Sequence, residues 1–369
     1  MICSHCGAAN EDKARFCGRC HAELSLPAEG GPEEVKPSWD ITRISSRNVF
    51  QENIINQRFK IIKVLGRGGM GEIYLAEDNK LNRKVAIKSI NSELIREHEA
   101  KTRFRREAQA ASLLDHPNIC AIHGIAQENE REYIIMQYVD GVTLEQLQKM
   151  KLLSLGTIVD IALQISEGMI AAQAQNILHR DIKPGNIMID KSGMVKILDF
   201  GLAKIYPGKM ASKKNSRPET GLTQKGFVLG SVSYMSPEQA AGRELDGRSD
   251  IFSFGVVLYE LLERKNPFAD QENIITLYNI LHKEIKLSPD IPKALQKIVH
   301  KTLQKDRERR YNDFWEIKND LAAARDLLLQ NKKEQAKAPG ERIPVSKSRK
   351  LWLALAALLA LVVLLALAV

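Results

Sequence analysis

His179-Arg180-Asp181-Ile182-Lys183-Pro184-Gly185-Asn186 is a short polar string between two apolar runs. Upstream, Ile158 to Ile170 repeats its apolar residues at helical spacing, and downstream Ile187 to Ile189 reads as a strand. A carboxylate (Asp181), an ammonium (Lys183) and an amide (Asn186) fall within six positions. Phosphoryl transfer needs a group that orients the attacking hydroxyl, a cation beside the moving phosphoryl and an oxygen ligand for a metal. This one loop supplies all three. The competing reading is a polar turn that caps a helix, and the order of residues across the whole string favours the chemical one.

The string resembles the catalytic loop of the protein kinases, and Lys183, two places after Asp181, matches its serine/threonine form. The resemblance runs over residues 58–328. It implies an α+β, bilobal protein kinase fold with a small β-rich N-lobe and a large helical C-lobe. Asp181 and Lys183 are then the catalytic residues. Asn186 and Asp199, the latter in Asp199-Phe200-Gly201 after a strand Val195 to Ile197, are the magnesium ligands.

Further upstream stands Gly66-Arg67-Gly68-Gly69-Met70-Gly71. A lone glycine pattern of this kind also fits a dinucleotide site, but that reading needs a helix directly after the glycines. Here Glu72 to Glu77 is strand-like, and Phe59 to Leu65 before it is rich in β-branched residues, so a hairpin is expected. Kinase resemblance then assigns Leu65, Gly66, Gly68, Gly69, Gly71 and Ile73 to ATP. Ala86 leaves room for adenine, and Lys88, in Val85-Ala86-Ile87-Lys88, holds the phosphates. Glu107, on a helix expected from about Leu94 to Leu114, is the implied partner of Lys88. Backbone groups of Gln137 and Val139, after a strand Tyr133 to Met136, are expected to bond adenine, with Met188 also in the nucleotide site. Cys120 reads as a small core residue.

In Gly230-Ser231-Val232-Ser233-Tyr234-Met235-Ser236-Pro237-Glu238 the sequence resembles the end of an activation segment. Glu238 is expected to pair with Arg310, and Asp250 to brace the catalytic loop through backbone amides. Residues 201–230 carry Lys204, Lys209, Lys213, Lys214, Arg217 and Lys225 against Glu219 alone. Because Arg180 precedes Asp181, a phosphate in this basic stretch is expected to pair with Arg180 and order the loop, with Thr223 as the main autophosphorylation site. In kinases that favour basic residues before the target hydroxyl, acids commonly stand at the places of Thr143 and Gly185. Neither is acidic here, so no strong demand for an upstream arginine is expected. Large-lobe helices are expected over Ile251 to Leu262, Asn273 to Leu281, Lys293 to Leu303 and Phe314 to Leu329.

Both ends of the chain carry something else. Cys3, Cys6, Cys17 and Cys20 form two CxxC knuckles within residues 1–24. Four thiolates at this spacing suit tetrahedral zinc, and so short a segment needs the metal for its folding energy, so a zinc ribbon is expected. No secretory signal precedes it, which places it in a reducing compartment. Residues 25–57 read as a Pro/Gly-punctuated linker and residues 329–350 as a basic juxtamembrane linker. Leu351 to Val369 is nineteen residues without a charge. As a helix it spans about 28 Å, close to a bilayer's hydrocarbon thickness. Lys347, Arg349 and Lys350 precede it and Trp352 sits at its near end. The positive-inside rule then gives a single-pass helix in the cell membrane with the kinase domain cytoplasmic. The chain is expected either to anchor by its tail or to continue past Val369. Ala356-x-x-x-Ala360 permits helix packing in a homodimer.

Composition sets the frame: 369 residues, 27% charged and 44% hydrophobic, are ordinary globular values for two domains or one large one. The net charge of +9 gathers around Lys213 and before the C-terminal apolar run. That suits local anionic partners better than a nucleic-acid groove, and no nucleic-acid partner is expected. The function read from the sequence is an ATP-dependent serine/threonine protein kinase, using ATP, Mg2+ and structural Zn2+. Its partners are protein substrates and the lipid bilayer. The competing class is a kinase-shaped scaffold that recruits partners through its zinc ribbon. Loss of Lys88, Asp181 or Asp199 would mark that class, and all three are present.

Overall fold

A computed structural model describes residues 54–68, 71–89, 98–128, 131–200 and 232–337, all within the unit Asn53–Val369. The four cysteines of the expected zinc ribbon, Gly69, Gly201, Thr223 and the expected membrane helix lie outside the described residues, as does the side chain of Glu107.

The first half of the fold is a six-stranded antiparallel sheet. Its strands are β1 (Ile54–Ile55), β2 (Phe59–Gly68), β3 (Gly71–Asp78), β4 (Arg83–Ser89), β5 (Ile122–Glu128) and β6 (Arg131–Gln137), in the order β1-β2-β3-β4-β6-β5. Between β4 and β5 runs helix α1 (His98–Ser112). Alternation along β3 and β4 sends Tyr74, Ala76, Val85 and Ile87 into one apolar cluster with Phe59, Tyr133 and Ile135. Ala86, Ile134 and Met136 face the other way, into a second cluster with Ala108 of α1. The sheet curls until its edges meet: Asn56 N donates to Glu128 Oε1 at 3.0 Å, and Ile55 is buried beside Ala126.

The second half is helical around α3 (Leu155–Ala174), capped by Ser154, whose hydroxyl accepts from Thr157 N. Ahead of it stand β7 (Gly141–Thr143) and α2 (Leu144–Met150); after it come β8 (Ile187–Asp190) and β9 (Val195–Ile197), which join β7 in a three-stranded sheet. Then follow α4 (Pro237–Ala240), α5 (Gly247–Glu263), α6 (Asn273–His282), α7 (Lys293–Thr302) and α8 (Phe314–Lys337). Among the described residues α3 alone is long and apolar enough to cross a membrane by length and composition. Its Ile158, Val159, Ile165 and Met169 are buried in one core with Phe254 and Val257 of α5 and Leu321 of α8, so its apolarity belongs to the protein interior. Each of the four helices expected after the activation segment is present. The last runs to Lys337, eight residues past the expected Leu329, because residues beyond the apolar pattern continue it.

Candidate active site

The catalytic loop is held from beneath by Asp250, near the start of α5. Its Oδ2 and Oδ1 accept the backbone N–H of His179 and of Arg180, both at 2.8 Å. Burial pushes the Asp250 carboxyl above the usual carboxylate range, and the two amides and nearby His179 and Arg180 pull against that. His179 is fully buried and rests against the Phe200 ring at 4.7 Å. The backbone N–H of Asp181 donates to His179 Nδ1 at 3.2 Å, so the ring proton sits on Nε2 and donates to the carbonyl of Leu198 at 2.8 Å. One imidazole thus ties the catalytic loop to the residue before Asp199. A second tie runs from Leu198 N to the carbonyl of Asn186 at 2.8 Å.

On that frame the polar side chains converge. Lys183 Nζ lies 2.7 Å from Asp181 Oδ2, and Asn186 Nδ2 donates to the same oxygen and to the Asp181 carbonyl, both at 2.9 Å. Asn186 commits its amide hydrogens to Asp181, which leaves its Oδ1 for a cation. Asp199 stands across from it, with Oδ2 at 2.8 Å from Lys88 Nζ. Lys88 reaches inward from β4, opposite Ile73 of β3 and Ile134 of β6. Arg180 (φ 65°) and Asp199 (φ 58°) both adopt the left-handed conformation, uncommon for residues with a Cβ and concentrated at functional sites. The oxygens of Asn186 and Asp199 are hard donors of the kind magnesium takes, and they sit on neighbouring backbone, so the residues present fit that ion.

Four of the expected nucleotide residues share one apolar cluster. Ala86 and Val139 are buried in one apolar cluster, with Ile73 and Met188 packed against it. Gly66 pairs with Ile73, and Gly68 with Gly71, across the β2–β3 hairpin. Strand β3 follows the glycines, and among the described residues no helix stands before α1, so the dinucleotide reading falls. Gly71 has φ +136°, and a Cβ there would come 1.9 Å from the carbonyl oxygen of Ser89, so the hairpin requires glycine at that position. Leu65 lies on β2 and is exposed. The Gln137 N–H donates to the Ala121 carbonyl at 2.9 Å, so the sheet already uses that group. Cys120 is buried with its Sγ 3.5 Å from the Gln137 carbonyl; burial, then the charge of Asp199, push its thiol up to about 12. Glu107 belongs to α1, and Lys88 meets Asp199.

Two residues of this frame escaped the sequence reading. Asn118 holds β9 at both sides: its carbonyl accepts Ile197 N at 2.8 Å and its Nδ2 donates to the Val195 carbonyl at 3.0 Å. Ser249 donates to Glu238 Oε1 at 2.7 Å within the buried Glu238–Arg310 pair. Neither leaves a mark in sequence, because the Asn118 contacts span more than seventy positions and serine is a common residue.

The comparisons with known proteins bear on this geometry. Residues 59–321 match the protein kinase domain family. The chain belongs to the protein kinase family. Among curated kinases, the probable serine/threonine-protein kinase PknB of Lactococcus lactis is 39% identical over 280 residues, covering 74% of this chain and 43% of PknB. PrkC of Bacillus subtilis, a serine/threonine-protein kinase, is 37% identical over 310 residues, 80% of this chain and 46% of its own. PknA of Mycobacterium tuberculosis, also a serine/threonine-protein kinase, is 33% identical over 299 residues, 79% and 67%. The chain thus spans less than half the length of the first two kinases. Residues 2–24 match the zinc-ribbon domain family.

Proposed function

We propose that the protein transfers the γ-phosphoryl group of ATP to serine or threonine hydroxyls of protein substrates. The observation that carries this is that Lys88 and Asp199, more than one hundred residues apart, form one ion pair, and that the Leu198 N–H bond to the Asn186 carbonyl ties Asp199 to the group of Asp181, Lys183 and Asn186. Asp181 orients the substrate hydroxyl and takes its proton on a carboxylate oxygen. Lys183, held to Asp181, steadies charge on the transferred group, and Lys88 grips phosphate from the sheet side. Asn186 and Asp199 would hold magnesium, which neutralises phosphate charge when bound. Ala86, Val139, Ile73 and Met188 offer the apolar walls a purine needs. Activation by autophosphorylation fits Arg180 next to Asp181 and the basic, hydroxyl-bearing stretch around Thr223. The deciding experiment incubates the full chain in detergent with γ-labelled ATP and magnesium. Serine or threonine labelling is expected, and Lys88→Met is expected to lower it by about two to three orders of magnitude, the loss typical of one charge-stabilising donor. Labelling unchanged in Lys88→Met would refute the reading.

The chain ends extend the proposal. The match of residues 2–24 to zinc ribbons, with Cys3, Cys6, Cys17 and Cys20, supports one structural zinc ion. Purified protein is expected to contain zinc at one equivalent, and Cys3→Ser to lower it; protein free of zinc would remove the ion from the account. Leu351 to Val369, uncharged and preceded by Lys347, Arg349 and Lys350, supports a membrane anchor with a cytoplasmic kinase domain. The full chain is expected to stay with membranes through alkaline carbonate washing, and a chain ending at Lys350 to be released; a full chain released by the wash would overturn the anchor.

A further inference from the structure

Lys305 stands in the turn after α7, half-buried, and lines a cavity of about 460 Å3 together with Lys283, His300 and Arg309. Its Nζ lies against the end of α6, 2.6 Å from the carbonyl of Ile280 and 3.4 Å from that of Asn279. The centre of the Phe268 ring is 4.1 Å away and that of Phe252 5.5 Å. Among the described residues those two carbonyls are its hydrogen-bond acceptors. An uncharged amine has two hydrogens for two acceptors, and an ammonium carries a third.

The charges around this nitrogen have the wrong sign for an ammonium. Arg310 and Lys283 act on it as cations. Arg310 is committed to Glu238, and Lys283 donates to the Pro267 carbonyl at 2.9 Å. Two acids line the cavity, Glu284 and Asp306, and among the described residues neither pairs with Lys305. Asp306 instead accepts the Glu308 N–H at 3.0 Å and lies 3.7 Å from Arg309. The two aromatic faces favour the charge. Burial first, then Arg310 and Lys283, outweigh them and bring the group down from an ordinary 10.5 to about 8. Desolvation beside another cation is how a lysine becomes a nucleophile at neutral pH.

We propose that Lys305 is a modification site, a nucleophilic amine acylated through this cavity by an acyl phosphate. Lys283 and Arg309 line the entrance to the same space and suit the anionic phosphate end of such a donor. The free amine attacks the acyl carbon and a carbon–nitrogen bond forms. The bond from that carbon to the bridging oxygen breaks, phosphate leaves with the electron pair, and the amine's extra proton passes to water. The acylated nitrogen keeps one hydrogen, so one of the two α6 carbonyls loses its donor and the charge beside Arg310 is gone. Phosphoryl transfer makes no use of Lys305, and the inference stands apart from the kinase reading.

The test is acylation of the full chain in detergent, without ATP, by acetyl phosphate, with each lysine followed by peptide mass spectrometry. At pH 7 about a tenth of an amine that titrates at about 8 is unprotonated, against about one part in three thousand of an ordinary lysine. Lower basicity returns about half of that gain on a logarithmic scale, as it does for thiols. Lys305 is therefore expected to be modified about tenfold faster than Lys297, which is exposed on α7. Its rate is expected to level off above about pH 8, where that of an ordinary lysine keeps climbing. Lys283→Gln removes one neighbouring cation and one holder of the phosphate, and is expected to slow Lys305 about threefold. Lys305 modified no faster than Lys297, a rate still climbing at about pH 9.5, or a rate unchanged in Lys283→Gln overturns the proposal. Faster modification by an acyl thioester, acetyl-coenzyme A, than by acetyl phosphate overturns it too, because the cavity would then not be selecting the phosphate end.

Discussion

Asp181→Asn is expected to slow phosphoryl transfer by about 10³-fold, within the range that one general base contributes. The change is nearly isosteric. The asparagine side-chain oxygen can take the place of Asp181 Oδ2 and keep the hydrogen bonds from Lys183 Nζ and Asn186 Nδ2. His179 still accepts the backbone N–H of residue 181, and Asp250 still holds the loop below it. What disappears is the proton acceptor. The drop is therefore expected in kcat, with the KM for ATP and the melting temperature close to those of the parent. Single-turnover labelling over a range of ATP concentrations measures both terms. A variant within threefold of the parent rate would show that Asp181 takes no proton, and the assignment of the loop would fail.

Arg310→Leu is expected to destabilise the fold by about 3–5 kcal/mol, the cost of leaving a buried charge without its partner. The guanidinium is fully buried and meets both oxygens of Glu238, at 2.8 and 2.9 Å, together with the carbonyls of Gln304, Arg248 and Lys305. It also lies over the Phe252 ring at 5.0 Å. Burial pushes the Glu238 carboxyl upward, but the bonds and charge of Arg310 outweigh it and hold the group at about 2 against an ordinary 4.5. Between those two values the unfolded chain binds more protons than the folded one. Glu238 therefore contributes about 3 kcal/mol in full above pH 4.5, and the contribution drains away as pH falls towards 2. Urea unfolding from pH 6 down to pH 2.5 is expected to show this slope in the parent, and a flatter one in Glu238→Gln. Equal slopes would mean that the pair does not set acid stability.

Both predictions use residues that the sequence made visible. Asp181 stands in an eight-residue string whose order is distinctive, and Glu238, Asp250 and Arg310 are found by aligning that string's surroundings with the family's pattern. The helical core was legible for a different reason: α3, α5 and α8 repeat apolar residues at a period the backbone imposes. Contacts that rest on the meeting of distant backbone were hidden. Asn118 grips β9 through a pairing that no local pattern records. Helix α2 is short, and its capping box, Thr143 with Gln146, becomes plain only in the folded backbone. Lys88 meets Asp199, and the side chain of Glu107, its expected partner, lies outside the described residues.

The meeting of the two sheet edges at Asn56 and Glu128 bears on where the protein can be cut. A fragment trimmed to residues 59–321 keeps every motif of the family yet loses Ile54, Ile55 and Asn56. Ile55 would leave an apolar hole beside Ala126 and Tyr133, and β2 would become an unpaired border open to a second molecule's backbone. The smallest well-behaved piece of this chain begins before Ile54, on residues that no catalytic motif would select.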